Sequence, residues 1–235
     1  VVLAAAPEPS KADVARAAQR RQALLRNALD PFLIQAEYTT ALEAAETYWK
    51  AGQTDEALAA LETLKKYAPL TELPFIKAQL LLAAIAEFPA HGARNLPLRD
   101  RHRLFAAALV RSIDASGDGL TPRTAFKLVL SREADGWLLA NGERLQPLDK
   151  RVWTADGNSY DIWRVRLSDG TERELYFDVT GMLRKPAAKG AVSAPRRGPS
   201  RRRGRGTRRC SPAGDRKPRR CVRPRPSAGC VRHRA

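Results

Sequence analysis

The spacing of apolar residues changes once along this chain of 235 residues, and no other feature constrains the fold as strongly. Up to about residue 113 the apolar residues follow the helical period, as Ala57, Leu61 and Leu64 illustrate. After Asp118 apolar and polar residues alternate, which is the pattern of half-buried strands. Helices followed by strands are typical of the α+β class. The sequence therefore predicts an α+β fold in which α-helical hairpins precede a small antiparallel β-sheet.

Five helices are predicted before the change of period. Proline ends a helix and glycine interrupts its pattern, so we expect Pro31, Gly52 and Pro69 to separate the first helices. The fourth helix contains the run AQLLLAAIAEF, which is shorter than the roughly 20 residues that cross a bilayer and therefore indicates a buried helix. The predicted helices are Lys11–Asp30, Glu37–Ala51, Asp55–Tyr67, Phe75–Phe88 and Asp100–Ile113.

The stretch AETYWKAGQTDEALAALETLKKYAP, residues 45–69, carries the features of a helical repeat. Gly52 lies between the two helices, Ala57 is small where the second helix packs on the first, and Pro69 closes the unit. Tyr48 and Trp49 supply paired aromatic residues on the first helix. The stretch resembles one tetratricopeptide repeat, although Ala41 replaces the usual tryptophan and no second copy follows. The resemblance implies a hairpin that needs neighbours to bury its outer face. An ordinary helical hairpin is the alternative.

Two Asp-Gly pairs divide the strand-like region. Asp156-Gly157 and Asp169-Gly170 favour the tight turns of β-hairpins. Apolar residues alternate with polar residues on both sides of the second pair, which predicts antiparallel strands with one buried face. A first strand is predicted at Ala125–Ser131, followed by a short helix that ends near Asn141-Gly142.

Four short motifs extend over the second half of the body: Ser-Gly-Asp-Gly at 116–119, Thr-Ala-Phe at 124–126, Tyr-Asp at 160–161 and Tyr-Phe-Asp at 176–178. With these motifs the chain resembles an uncharacterised bacterial family that is catalogued only as a domain of unknown function. The resemblance covers about residues 100–179. It implies a small α+β module that is often exported, and it implies no reaction.

The loop SIDASGDGLTPRTAF contains oxygen-bearing residues at the spacing of a calcium loop. Asp114, Ser116 and Asp118 occupy the first, third and fifth positions, and Gly119 follows where such loops turn sharply. The twelfth position, which needs a bidentate glutamate, is Ala125. Asp114, Ser116 and Asp118 are therefore weak metal candidates. The simpler interpretation is a turn whose carboxylates accept backbone hydrogen bonds.

Residues that could carry out catalysis are sparse. The chain has three histidines, His91, His102 and His233, and none lies near a cysteine or glutamate at metal-ligand spacing. Glu133 and Asp135 are most simply the acidic residues of a helix start. Without a nucleophile elbow, a phosphate-binding glycine loop or an HExxH motif, the sequence predicts no enzyme, no catalytic residue and no cofactor.

Most of the net positive charge of the chain comes from its C-terminal tail. The net charge is +17, yet residues 191–235 contain 16 of the 42 Lys and Arg residues and one of the 25 acidic residues, a net +15. All three cysteines are also in this tail. A segment without aromatic residues cannot bury a core, so the tail is predicted to be disordered. The candidate polyanion-binding residues are Arg201, Arg202, Arg203, Arg205, Arg208 and Arg209.

Two interpretations of the tail remain open. One is a native basic arm that neutralises phosphates and so binds nucleic acid. The other is sequence read out of frame, because Arg, Pro, Gly, Ala, Ser and Cys are what a GC-rich gene yields in the wrong frame.

The first ten residues, VVLAAAPEPS, end a short apolar run with three alanines, as signal-peptidase sites do. They are either the remnant of a secretory signal or a disordered terminus. The predicted division is this segment at 1–10, a helical segment at 11–113, an α+β domain at 114–182 and a disordered, arginine-rich tail at 183–235. The predicted function is an exported bacterial scaffold or protein-binding module of the cell envelope, with an unidentified protein or peptide partner and no membrane span. The alternative is nucleic-acid or polyanion binding through the tail.

Overall fold

The computed structural model describes residues 8–27, 30–89, 93–142 and 144–183, and within them seven α-helices and a four-stranded sheet confirm the α+β prediction. The helices are α1 (Lys11–Asn27), α2 (Pro31–Lys50), α3 (Thr54–Glu62), α4 (Ile76–Glu87), α5 (Leu96–Asp114), α6 (Glu133–Ala140) and α7 (Thr180–Leu183). The strands are β1 (Phe126–Lys127), β2 (Leu145–Ala155), β3 (Asn158–Leu167) and β4 (Glu172–Asp178).

Pro31 begins α2, so the predicted start of the second helix at Glu37 is six residues too late. A proline at the first helical position loses no hydrogen bond, because the N–H groups of the first turn have no partner within the helix. Asp30 provides the cap: its backbone is extended, and its Oδ1 accepts a hydrogen bond of 2.9 Å from the Phe32 amide. The cap and the proline together make this point a helix start.

The helices between residues 31 and 114 form two antiparallel pairs, α2 with α3 and α4 with α5. Gly52 has φ +77 and reverses the chain between α2 and α3, as its position in the repeat-like stretch predicts. A 3₁₀ turn at Thr63–Lys66 extends α3 nearly to Tyr67. Helix α4 packs on the first pair, where the ring of Phe75 stacks on that of Tyr38 with centroids 4.1 Å apart. Helix α4, the fourth predicted helix, therefore neighbours the hairpin as the sequence suggests, whereas α5 packs on α4 and α1.

The sheet has the order β1-β4-β3-β2, and β2, β3 and β4 form an antiparallel meander. Asp156 and Gly157, with φ values of 52 and 72, make the first turn, and Gly170, with φ 86, lies in the second. The predicted antiparallel pairing holds for β2, β3 and β4, whereas β1 pairs with β4 in parallel. The sheet is therefore mixed.

Strand β1 contains two residues, whereas the sequence predicted a strand from Ala125 to Ser131. The amide of Leu128 still donates to Asp178 at 2.9 Å, but the next amide leaves the ladder. The Val129 N–H donates at 2.7 Å to Oε2 of Glu133, the first residue of α6. The Glu133 carboxylate thus accepts the hydrogen bond that a neighbouring strand would otherwise accept from Val129. The chain then leaves the sheet and continues into α6.

Helices and sheet share the same hydrophobic cores. Ile76 and Leu80 of α4 lie in one cluster with Val165 and Phe177 of the sheet. A second cluster joins α2, α3 and α4 with Val129 and Leu130, which follow β1. All described residues belong to one compact unit, and α5 ends at Asp114, one residue past the predicted border. That border therefore does not separate two packed domains.

The predicted terminal segments at 1–10 and 183–235 lie mostly outside the described residues. Within the described part of the chain, no helix combines the length and the apolar character that a bilayer crossing requires.

Candidate functional site

The hairpin of α2 and α3 carries an open, mainly apolar groove of about 680 Å³. Its walls are small side chains that face each other across the two helices, and Ala41 and Leu64 form its buried floor. The small wall residues are Ala36, Thr40 and Ala44 on α2, Ala59 and Ala60 on α3, and Thr63 at the start of the 3₁₀ turn that follows α3. Tyr48, which is 40% exposed, lies at one end.

Small residues bring the two helices of the groove together. Ala45 and Ala57 are fully buried, and neither has side-chain atoms beyond Cβ that would separate the backbones. The wall residues on α2 recur every four positions, so they form one stripe along the helix. From Ala36 to Tyr48 this stripe is about 18 Å long at 1.5 Å per residue. The groove is thus a shallow channel with the length of three helical turns.

Charged and polar groups define the other end of the groove. Lys66 Nζ lies 2.6 Å from Glu37 Oε2, and the Tyr67 hydroxyl donates to the same oxygen. These two hydrogen bonds, with that of Lys66 the larger effect, lower the pKa of the Glu37 carboxyl. Burial and the hydrogen bond to Glu37 raise the pKa of Tyr67. This end of the groove therefore holds a neutralised pair and a neutral phenol, and the centre remains apolar.

Each of the three metal candidates makes hydrogen bonds to a different part of the protein. Asp114 ends α5, and its Oδ1 accepts a hydrogen bond of 2.7 Å from Trp137 Nε1. The Ser116 hydroxyl donates to the Ile113 carbonyl at 2.6 Å and accepts from the Lys127 amide at 2.8 Å. Asp118 Oδ1 accepts from the Leu120 amide at 2.9 Å. These contacts are those of a structural turn.

The electrostatics of the two aspartates agree with that interpretation. Burial raises the pKa of Asp114, whereas the hydroxyl of Thr124 and then the amide of Leu120 lower the pKa of Asp118. Among the residues that the structure describes, no three His, Cys, Asp or Glu side chains form a group that could hold a metal ion. The hydrogen bonds of Asp114, Ser116 and Asp118 therefore describe a turn that joins α5 to β1.

His102 is buried inside the helical part, while His91 and His233 lie outside the described residues. Its Nδ1 is 2.6 Å from Gln79 Oε1. Gln79 Nε2 donates to the carbonyls of Leu70 and Leu73, so Oε1 accepts and the His102 Nδ1 carries the proton. Burial, followed by the charge of Arg101, lowers the pKa of His102 to about 4. A neutral ring sealed from solvent fastens α4 to α5 and is not available to a substrate.

Sequence reasoning missed one polar cluster, that of Ser131, Lys150 and Asp161. Lys150 Nζ is 2.7 Å from Asp161 Oδ2 and 3.2 Å from Ser131 Oγ, and the serine hydroxyl donates to the same aspartate oxygen. In this arrangement Lys150 donates to the Ser131 oxygen and the serine proton is directed at Asp161. The cluster therefore fixes β2 and β3 to Ser131, which lies two residues before α6. Its members are up to 30 positions apart, and no local pattern connects them.

The six candidate arginines of the tail, Arg201, Arg202, Arg203, Arg205, Arg208 and Arg209, lie outside the described residues. The groove on α2 and α3 is therefore the site that the geometry presents. No protein-family model matches the chain, and no curated protein or solved structure matches it either.

Proposed function

We propose that this protein is a non-enzymatic binding module that holds a helical segment of a partner protein in the groove between α2 and α3. The observation that carries the proposal is the stripe of small residues that walls an apolar, open channel. An exported scaffold of the cell envelope is the setting that the alanine-rich N-terminus and the family resemblance favour.

The dimensions of the groove favour a helix as the occupant. Two helices pack with their axes 8–10 Å apart, and small side chains at the contact permit the shorter distances. A channel about 18 Å long accepts roughly three helical turns. An extended peptide would gain no backbone hydrogen bonds from helical walls, whose N–H and C=O groups are already paired. The partner is therefore an amphipathic helix with an apolar stripe.

The test begins with a phage-displayed peptide library selected on the full chain. We expect the enriched peptides to carry apolar residues at positions i, i+3 or i+4, and i+7. A labelled synthetic peptide from this set should become helical on binding, as followed by circular dichroism. Replacing Ala59 with glutamate places a charge in the apolar wall and should weaken binding at least about tenfold by fluorescence anisotropy.

The matched control is Ala15→Glu, the same exchange at an exposed position of α1 outside the groove. It should leave the affinity unchanged. Peptides that bind wild type and Ala59→Glu equally well would show that the groove is not the binding surface.

The segregation of charge supports a second candidate function, polyanion binding through the tail. Replacing Arg201, Arg202, Arg203, Arg205, Arg208 and Arg209 with glutamine in the full chain removes six positive charges. If all six contact phosphates of single-stranded RNA, the slope of log affinity against log salt should decrease in magnitude by about 4. Affinity is measured by filter binding over a salt series. A slope equal to that of wild type would reject these residues as phosphate contacts.

A further inference from the structure

Strand β2 is an edge of the sheet, and it is exposed along nearly its whole length. The sheet order places β3 on one side of β2 and no described strand on the other. Only Leu145, Leu148 and Ala155 are half-buried, and the other eight residues of β2 are exposed. Val152 is 68% exposed and Trp153 is 41% exposed. A long edge strand with exposed apolar residues is a template for pairing with another strand.

The backbone of β2 provides the hydrogen-bonding groups for such pairing. In an antiparallel ladder the N–H and C=O groups of alternate residues point to opposite sides, so half of those in β2 point away from β3. Pro147 and the irregularity between Pro147 and Asp149 end the regular edge at one side. The usable edge is therefore the segment from Asp149 to Ala155.

The charged residues of this segment are held on its own sheet and do not protect the edge. Lys150 Nζ is 2.7 Å from Asp161 Oδ2, and Arg151 Nη2 is 2.7 Å from Glu174 Oε1. Arg164 binds the carboxylate of Asp149. Each charge of this segment that could repel an incoming strand is thus already paired with a residue of β3 or β4.

We infer that the occupant of this edge is a second copy of the chain, with the two β2 strands antiparallel about a two-fold axis at Val152. In this register Val152 faces Val152 of the partner, and Trp153 lies opposite the partner's Arg151. Arg151 and Trp153 share one face of the sheet, because they pair with Ile162 and Tyr160 on β3. Each contact therefore occurs twice on matching faces, as an isologous interface requires.

Chemical complementarity favours this register. The two most exposed apolar residues of the strand are both removed from water. Valine against valine is a favourable cross-strand pair, and the arginine guanidinium can stack on the indole ring. Lys150 faces Thr154 and Asp149 faces Ala155, so no like charges oppose each other directly. The product is a continuous eight-stranded sheet. Because both β2 edges are used in the interface, assembly through this edge stops at the dimer.

The experiment is sedimentation equilibrium of the full chain from about 1 to about 200 µM, the range in which a contact of one strand pair is expected to associate. The average mass should rise from 26.0 kDa towards twice that value. Val152→Lys places two ammonium groups opposite each other and should weaken association at least tenfold. The matched control is Leu120→Lys, which adds the same charge at a loop residue that is 48% exposed; it should associate as wild type does.

A second measurement tests the register itself. In a chain with Cys210, Cys221 and Cys230 replaced by serine, Val152→Cys puts two thiols on residues whose Cα atoms would be about 4.5–5.5 Å apart. That separation suits a disulfide, so mild oxidation should yield a covalent dimer. A chain that stays monomeric at 200 µM, or a dimer that Val152→Lys leaves intact, overturns the inference. Neither result bears on the groove, which lies on other elements.

Discussion

Replacing Arg21 with methionine is expected to lower the free energy of unfolding by about 3–5 kcal/mol. Arg21 belongs to α1, and its side chain is buried in the protein. Its guanidinium donates two hydrogen bonds, of 2.7 and 3.1 Å, to the Glu133 carboxylate. It also donates to the carbonyl of Lys127 and to the hydroxyl of Ser112. Without it, Glu133 would keep a buried negative charge with the Val129 amide as its remaining partner. Urea denaturation followed by tryptophan fluorescence measures the loss.

The neighbouring Arg20 supplies the matched control, since it pairs with Glu72 at the surface with 44% of its side chain exposed. Arg20→Met should cost no more than about 1 kcal/mol. The double variant Arg21→Met, Glu133→Met removes both buried charges and should lose less than the sum of the two single variants. Additive losses, or an Arg21→Met loss as small as that of Arg20→Met, would contradict the interpretation.

This ion pair marks the limit of what the sequence could reveal. Arg20 and Arg21 are adjacent, and helical periodicity alone does not tell which one of two charged neighbours is buried. The acidic residue Glu133 was predicted correctly as part of a helix start, yet its partner is 112 positions away. Local patterns describe helix ends well and contain no information about such distant pairs.

The sheet likewise has one part that local sequence determines and another that distant contacts determine. Asp156-Gly157 and Asp169-Gly170 predicted the meander because a tight turn depends on the residues within it. The parallel pairing of β1 with β4 joins residues about 50 positions apart, such as Phe126 and Phe177. Their rings pack with centroids 5.4 Å apart. The pairing of these strands depends on this distant contact, and no local turn sequence indicates it. Tertiary packing therefore decided the part of the sheet that the sequence missed.

The sequence predicted a helical hairpin with an outer face to cover, but it did not predict which face of the hairpin stays open. Gly52 and Ala57 indicated a hairpin of closely packed helices, and the resemblance to a repeat implied an outer face that needs a neighbour. Helix α4 covers one face of that hairpin, whereas Ala36, Thr40 and Ala59 remain exposed on another. Since every one of these residues is small and compatible with burial, only the placement of α4 determines which face stays open.

Gly119→Ala is expected to destabilise the protein by about 3 kcal/mol, from backbone strain and from a collision. Gly119 has φ +71, a conformation that costs an alanine roughly 1–2 kcal/mol. A Cβ at this position would also overlap the ring of Phe126. That ring cannot withdraw, because Trp137 and Phe177 pack against it with centroids 4.8 and 5.4 Å away. The free energy of unfolding in urea provides the measurement.

Gly52 separates the two causes. Its φ of +77 nearly equals that of Gly119, but a Cβ at Gly52 would meet no atom within 4 Å. Gly52→Ala should therefore show the strain alone, roughly 1–2 kcal/mol, and the difference between the variants measures the collision with Phe126. Equal losses would mean that the loop and the ring can move apart. In that case the loop at Asp118 would be an adaptable surface turn. It would not be a rigid connection that packs Gly119 against the aromatic core of the sheet.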